Sequence, residues 1–231
     1  MTTRAPTNLT MITWNIDGLD SKSLSKRTQA VISTIREVSA DIVFLQEVIP
    51  ETYSYIQTQL ADHYECIAAK DDNYFVATLL RKGRVYLDRA KVVDFPTTRY
   101  RFVLSFTLLH CIKPCRMYRH LLAVQAHSGT VVMDLLNTHL ESTKDHAEER
   151  KKQLEQCFGL MSRRPSDRSV IFGGDLNLRD PELRSLGGVP APARDVWEQL
   201  GSREEVKWTW DLQRNTNTEM PGKWKPRCRL V

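Results

Sequence analysis

Leu9-Thr10-Met11-Ile12-Thr13-Trp14 is a strand-like run that stops in the turn Asn15-Ile16-Asp17-Gly18. Val31, Ile32, Ile35 and Val38 then recur at helical spacing across 25–38, and Asp41-Ile42-Val43-Phe44-Leu45-Gln46 follows as a buried-strand run. These segments predict a strand, helix, strand opening. Pro50 is placed to start a second helix reaching about Ala61, because proline suits the first helical turn. Further strands are predicted over 64–69, 74–81, 84–93, 118–126 and 131–138, so the middle of the chain reads as β. Ser142 with Asp145 three residues on resembles a capping box, and Ala147, Leu154, Phe158 and Met161 make an apolar stripe beyond it. The last strand, 169–173, runs straight into Gly174-Asp175-Leu176-Asn177. No repeat, low-complexity tract or linker divides the chain. The expectation is a short tail, 1–8, and one domain, 9–231, of packed sheets covered by helices: an α/β sandwich.

A chain of 231 residues hides about 70% of its unfolded surface on folding, enough to exclude disorder as its main state. Hydrophobic residues at 41% are ordinary for a globular protein, and no apolar run reaches the roughly 20 residues that span a membrane. The balance of 33 Lys+Arg against 28 Asp+Glu is mildly basic, compatible with a polyanionic partner. Residues 1–10 hold no apolar segment of secretory type, and five scattered cysteines suit a reducing compartment, cytosol or nucleus. Cys111 and Cys115 with His110 and His120 have a superficial zinc look. No second pair stands at finger spacing, so they read as buried or incidental thiols.

Four predicted strands end in side chains that an apolar core does not need: Asn15 and Asp17, Glu47, His139 and Glu141, Asp175 and Asn177. Strand ends are where rigid scaffolds present functional groups. Asp17, Glu47 and the Asn15 oxygen are hard ligands suited to Mg²⁺, which binds one or two carboxylates plus water and substrate phosphate. Asp175 can align or deprotonate a water, while Asn177 and His139 donate to the charged oxygens of a transition state. A metal-assisted phosphodiesterase or phosphatase results. Each piece also has a bland reading: a tight turn at Asn15–Gly18, a solvated Glu47, a space-filling His139, an Asx turn at Asp175. Only their conjunction, in this order, favours chemistry.

The segments Thr13-Trp14-Asn15-Ile16-Asp17-Gly18-Leu19, Phe44-Leu45-Gln46-Glu47-Val48, Thr138-His139-Leu140-Glu141-Ser142-Thr143 and Gly174-Asp175-Leu176-Asn177-Leu178-Arg179-Asp180 resemble the endonuclease/exonuclease/phosphatase superfamily. Within it, Thr209-Trp210-Asp211 and the His-Leu-Glu-Ser-Thr form are similar to the branch that removes tyrosine from DNA 5′ ends. That resemblance implies a four-layer α/β sandwich. It further implies Mg²⁺-dependent hydrolysis, with Mn²⁺ as a substitute, of the 5′-phosphotyrosyl bond left by stalled topoisomerase 2, in the service of DNA repair. Asp17 and Glu47 become the metal positions, and Asp175, Asn177 and His139 the catalytic ones. Asn15, Ile16, Gly18, Leu19, Leu140, Glu141, Ser142, Thr143, Lys144, Leu178 and Arg179 line the path of the single-stranded 5′ end, with Tyr74 and Trp210 offering ring faces to terminal nucleotides. A monomer in the nucleus, and secondarily the cytoplasm, is the expected setting, with no membrane partner.

Two departures from the family pattern stand out. The family's later Phe-Asp-Arg segment and Ser-Asp-His motif do not occur after Asp211. The chain is therefore expected to lack C-terminal strands and leave a sheet edge unpaired. Turnover is expected at about one hundredth or less of a full-length relative, since one lost donor to a transition state costs about 10² to 10³. Residues 101–116 also read as an insertion, genuine or of intronic origin. The alternatives to the enzyme are a catalytically inactive DNA-binding isoform and a superfamily hydrolase with another phosphate substrate.

Overall fold

The computed structural model describes residues 8–69, 73–95, 117, 119–211 and, for the backbone, 229–230. The insertion at 101–116 and the cysteine pair Cys111 and Cys115 lie outside these residues, as do 1–7 of the expected tail.

Among the described residues, nine strands form two sheets. In the first, β1 (Met11–Asn15), β2 (Ile42–Val48), β4 (Phe75–Arg81) and β3 (Tyr64–Ala68) lie in the order β1-β2-β4-β3. β1 and β2 are parallel, because α1 (Leu24–Val38) carries the chain back between them. The second sheet holds β5 (Tyr86–Asp94), β6 (His120–Ser128), β7 (Val131–His139), β8 (Ser169–Asp175) and β9 (Arg229–Leu230), hydrogen-bonded in that order. β7 and β8 are parallel, joined by α3 (Ala147–Ser162), and the other pairs are antiparallel. β2 and β4 are buried along almost their whole length, which explains their unbroken apolar runs.

The sheets face one another, and helices close the outside. Val31, Ile32 and Ile35 of α1, with Ile56 and Leu60 of α2 (Pro50–Leu60), join the first sheet in one core that also takes Leu122, Val124, Met133 and Leu135 from the second. Alternate residues Leu121, Ala123 and Leu136 point the other way, against Leu154, Cys157 and Phe158 of α3. Phe158 meets Phe172 edge-on with ring centroids 6.2 Å apart. Phe172 is fully buried, so its truncation to alanine removes about 3–5 kcal/mol. This is the expected four-layer α/β sandwich.

A fully buried polar clamp crosses the sheet interface. Gln46 Nε2 donates to Asn137 Oδ1 at 2.9 Å, and Asn137 Nδ2 donates to the Ala77 carbonyl at 2.8 Å. Both residues are fully buried, so a slip of β2 against β7 breaks bonds that no water can replace. The clamp fixes the two sheets at the end where the site forms.

Several expectations need correction. The helix after β7 starts at Ala147 behind His146, without a side-chain cap; Ser142 Oγ turns instead to Met117 Sδ at 3.2 Å. Two short helices, α4 (Asp180–Ser185) and α5 (Val196–Gln199), had no sequence signal, being too brief to show a period. The edge of β8 is not bare either: Gly173 and Gly174 pair with Leu230 and Arg229. Among the described residues, no helix is long and apolar enough to cross a membrane.

Candidate active site

β1 and β2 lie against β7 and β8, and their C-terminal ends meet at one edge of the sandwich. Asn15 is the centre of that meeting. Its Nδ2 donates to Glu47 Oε1 at 3.1 Å and to Asp175 Oδ2 at 2.9 Å, joining residues 32 and 160 positions away in the chain. Its Oδ1 accepts the Asp17 N–H at 2.9 Å in an Asx turn. The Asn15–Gly18 turn is thus both the ordinary turn its composition suggests and the anchor of a polar cluster.

The backbone here is held in unusual conformations. Asp17, Glu47, Thr143 and Asn177 have positive φ of 51°, 54°, 64° and 48°. Asp and Asn tolerate that region, but Glu and especially β-branched Thr do not, so the surroundings must impose it. At Glu47 the cause is visible. The register of β2 with β4 breaks between Leu45 and Val48, the Glu47 carbonyl accepts the Gly18 N–H at 3.0 Å, and a Cβ on Gly18 would come within 2.2 Å of that oxygen. The bulge aims the carboxylate at Asn15 and needs glycine opposite it. Gly174 meets a similar close approach in β8 without a register break: its φ is 127° and a Cβ would sit 1.9 Å from the Thr138 carbonyl.

His139 and Asp175 are neighbours across the parallel β7–β8 pair. His139 Nε2 lies 3.6 Å from Asp175 Oδ2 and 3.8 Å from Glu47 Oε1. Burial, reinforced by the nearby Arg119 and His120, holds the His139 imidazole well below the ordinary histidine range. It is therefore neutral at pH 7, a donor or acceptor but not a cation. Burial raises the Glu47 carboxyl above the usual range, against the pull of Asn15 and Arg119 and with Asp17 and Asp175 adding repulsion. Asp17 is likewise raised by burial, with Arg27 opposing and Asp20 reinforcing. Asp175 Oδ1 accepts the Asn177 N–H at 3.1 Å, and Asn177 Nδ2 donates to the Leu140 carbonyl at 3.1 Å.

Not every expected residue faces the cluster. Glu141 is fully buried: its N–H goes to Gln153 Oε1 at 2.9 Å and its Oε2 takes the Gln153 amide at 3.3 Å, so it supports the wall from inside. Ile16, Leu140 and Leu178 are also buried, Leu140 and Leu178 among core side chains and Ile16 giving its N–H to the Gln46 carbonyl. Leu19, Thr143 and Lys144 are exposed at the rim, and Arg179 lies half-exposed, 3.6 Å from Glu182. Tyr74 stands edge-on to His139, ring centroids 6.5 Å apart. Trp210 is half-buried in the irregular segment after the 3₁₀ turn Glu204–Val206.

Two arginines beside the cluster, Arg27 and Arg119, escaped the sequence reading. Arg27 of α1 donates to the carbonyls of Ile16 and Asp17 at 2.9 Å and to those of Asp20 and Lys22, fixing the whole 16–22 loop. Arg119 is 5% exposed, lies 5.4 Å from the Tyr74 ring centroid, and lines a recess with Tyr74 and His139. Its Nε and one terminal nitrogen have no hydrogen-bond partner among the described residues. A buried cation with spare donors beside a histidine suits an anionic ligand. Its only sequence signal was a charge at the start of an otherwise apolar strand.

The donor set also bears on the metal. Among the described residues no three His, Cys, Asp or Glu side chains gather closely enough to enclose an ion by themselves. The Asp17 and Glu47 carboxylates, both raised chiefly by burial, with Asp20 repelling the first and Asp17 and Asp175 the second, nevertheless call for a positive counter-charge. Carboxylates completed by water and phosphate are the pattern of Mg²⁺ rather than of a caged ion. The residues fit a hard divalent cation.

Comparison with known proteins agrees. The model of the Endonuclease/Exonuclease/phosphatase family matches residues 12–227. Tyrosyl-DNA phosphodiesterase 2 of Homo sapiens is 41% identical over 207 residues, covering 90% of this chain and 52% of the relative. That of Gallus gallus is 40% identical over 220 residues, 95% and 55% of the two chains. The chain thus spans about half the length of the curated relatives it matches. A crystal structure of D. rerio TDP2 complexed with single-strand DNA product superposes with a TM-score of 0.87 at 37% identity, covering 97% of this chain and 83% of that one. The human Nocturnin catalytic domain, at 14% identity and a TM-score of 0.64 over 96% of this chain and 80% of that one, shares the fold alone. With four strand ends converging as its motifs require, the chain belongs to the endonuclease/exonuclease/phosphatase family.

Proposed function

We propose that this chain is a divalent-metal-dependent phosphodiesterase that hydrolyses the bond between a tyrosine side chain and a DNA 5′ phosphate, releasing tyrosine and a 5′-phosphorylated strand. The observation that carries this reading is Asn15, whose single amide hydrogen-bonds both Glu47 and Asp175 and so gathers two distant carboxylates beside a neutral, buried His139. Asp17 and Glu47, with the Asn15 side chain, would hold Mg²⁺ or Mn²⁺. Such an ion, when bound, offsets the negative charge of the phosphoryl oxygens.

The chain's own residues do the rest. Asp175, held by Asn15 and by the Asn177 N–H, takes a proton from the water that attacks phosphorus. The new P–O bond forms as the P–O bond to tyrosine breaks in line with it, and the electron pair leaves on the phenolic oxygen. A neutral His139 can donate through Nε2 to a phosphoryl oxygen, and Asn177 through its amide, so both stabilise charge without titrating near pH 7. Arg119, with donors unpartnered among the described residues in the recess beside Tyr74 and His139, would add positive potential next to the phosphate. Gly18, Leu19, Ser142, Thr143, Lys144 and Arg179 border the approach of the strand, and Tyr74 offers a ring to a terminal base. The family resemblance extends the reading to topoisomerase 2 remnants as the source of the adduct, a monomeric enzyme, and the nucleus.

The test is release of tyrosine from a 5′-phosphotyrosyl oligonucleotide with Mg²⁺, with Mn²⁺ and with EDTA, beside Asp175→Asn. Metal-dependent release that disappears in the variant is expected. Binding of the oligonucleotide without any metal-dependent product would replace the enzyme with an inactive DNA-binding protein.

A further inference from the structure

Two segments leave the ends of β7 and β8 and border the cluster: 140–143 and 176–179. At their roots they bond to each other directly, Leu140 N–H to the Asp175 carbonyl at 2.9 Å and Asn177 Nδ2 to the Leu140 carbonyl at 3.1 Å. Farther out, one side chain bridges them. Arg150 of α3 is wholly buried, and its guanidinium donates to the Glu141 carbonyl at 2.7 Å and the Thr143 carbonyl at 2.9 Å. On its other side, Nε and a terminal nitrogen donate to the two Glu182 oxygens at 3.0 and 2.6 Å. Glu182, on α4, also accepts the Arg179 N–H at 3.1 Å. The bridge thus runs from the 140–143 wall through the guanidinium to Glu182 and so to the 176–179 wall.

The chemistry of the pair is selective. A guanidinium presents a planar fork that can serve a carboxylate on one edge and carbonyls on another, and a lysine ammonium cannot reproduce that. Thr143, which the bridge holds by its carbonyl, is the β-branched residue with a φ of 64°. Such a conformation persists only where contacts over-determine it. Among the described residues neither Arg150 nor Glu182 makes a hydrogen bond or ion pair to Asn15, Glu47, His139 or Asp175, so the bridge is set back from the reacting centre.

We infer that Arg150 and Glu182 are positioning residues that fix the spacing of the two walls through which a nucleotide strand reaches the site. This inference rests on the phosphodiesterase reading for its substrate class. It implies that the pair governs binding of a strand and not of the first nucleotide. Weakening it should lower affinity for an oligonucleotide about tenfold, the order expected when a few ordered side chains must be re-immobilised on binding. Affinity for a mononucleotide should stay unchanged.

The experiment compares wild type with Arg150→Lys, with Glu182→Gln, and with the apolar pair Arg150→Met/Glu182→Leu, which avoids an unpaired buried charge. Binding of a 5′-phosphorylated single-stranded decanucleotide and of thymidine 5′-monophosphate is measured in Ca²⁺, and fold integrity by thermal melting. Hydrolysis of the 5′-phosphotyrosyl decanucleotide and of the p-nitrophenyl ester of thymidine 5′-phosphate follows in Mg²⁺. A selective loss of about tenfold in oligonucleotide affinity, with a raised KM and near-constant kcat, is expected in folded variants. Parallel loss for both ligands, or none for either, overturns the inference. No hydrolysis by the wild type would defeat the phosphodiesterase reading alone, because the binding ratio still judges the bridge.

Discussion

Glu47→Gln should stabilise the apo-protein while removing its activity. Glu47 Oε1 and Asp175 Oδ2 share one Asn15 amide at 3.1 and 2.9 Å, so the two oxygens are at most about 6 Å apart. Two unit charges at that distance repel by about 0.7 kcal/mol in water and about 2.8 kcal/mol at an effective dielectric of 20. Glutamine keeps an oxygen to accept from Asn15 and loses the charge, so a gain of about 1–2 kcal/mol is expected at pH 7.5 in EDTA. The pH dependence has a definite sign. The folded Glu47 carboxyl is raised above its ordinary 4.5, chiefly by burial, so the folded state holds this proton more tightly than the unfolded one. Its ionisation therefore costs stability as pH rises from about 4.5 through the folded value, and the whole cost is present above it. The advantage of the variant must shrink on acidification. Urea melts in EDTA at pH 5 and 7.5 read the difference, and thermal melts should show about 2–4 °C per kcal/mol for a chain of this size. Turnover should fall more than about 100-fold, since the carboxylate would hold the metal. A variant less stable than wild type at pH 7.5, or one retaining full turnover, would refute the idea of a repelled, metal-seeking carboxylate.

Other substitutions probe the scaffold and the proton inventory. Asn15→Ala frees both carboxylates from their common donor and should lower kcat about 100-fold with little change in KM, as misplacement of reacting groups by about 1 Å does. Gly174→Ala should cost about 3–5 kcal/mol in a urea melt, because a Cβ would lie 1.9 Å from the Thr138 carbonyl at a φ of 127°. His139, held well below 6.5 chiefly by burial, binds fewer protons folded than unfolded, so it takes stability away as pH falls below about 6.5 and nothing above it. Its imidazole NMR signals should not move between pH 6 and 8, and a midpoint near 6.5 would contradict its neutral role.

The scaffold was largely legible because its signals are strong and local. Apolar runs at 41–46 and 131–138 and the stripe Val31, Ile32, Ile35 mark strands and a helix by period alone. Side chains at the ends of those runs could be paired with chemistry because a strand end is where a sheet stops burying residues. Direction beyond a strand end is another matter. Glu141 follows His139 by two, as though on the same face, yet the chain has left the strand and the carboxylate points inward to Gln153. The Glu47 bulge, a left-handed residue inside a strand, has no composition cue at all. Arg27, Arg119 and Arg150 were invisible for a related reason: each acts across a distance in sequence, where an arginine on a helix or strand reads as a solvated charge. Ser142 and Asp145 failed as a cap because Ser142 is drawn to Met117 while the helix waits until Ala147.

The most direct measurement is hydrolysis of a 5′-phosphotyrosyl oligonucleotide by this chain in H₂¹⁸O with Mg²⁺, with both products read by mass spectrometry. Attack of water on phosphorus within the Asn15, Glu47, His139 and Asp175 cluster predicts one ¹⁸O in the DNA 5′-phosphate and unlabelled tyrosine, with no product when Asp175 is asparagine. Label in the phenol, or equal product from Asp175→Asn, would contradict it.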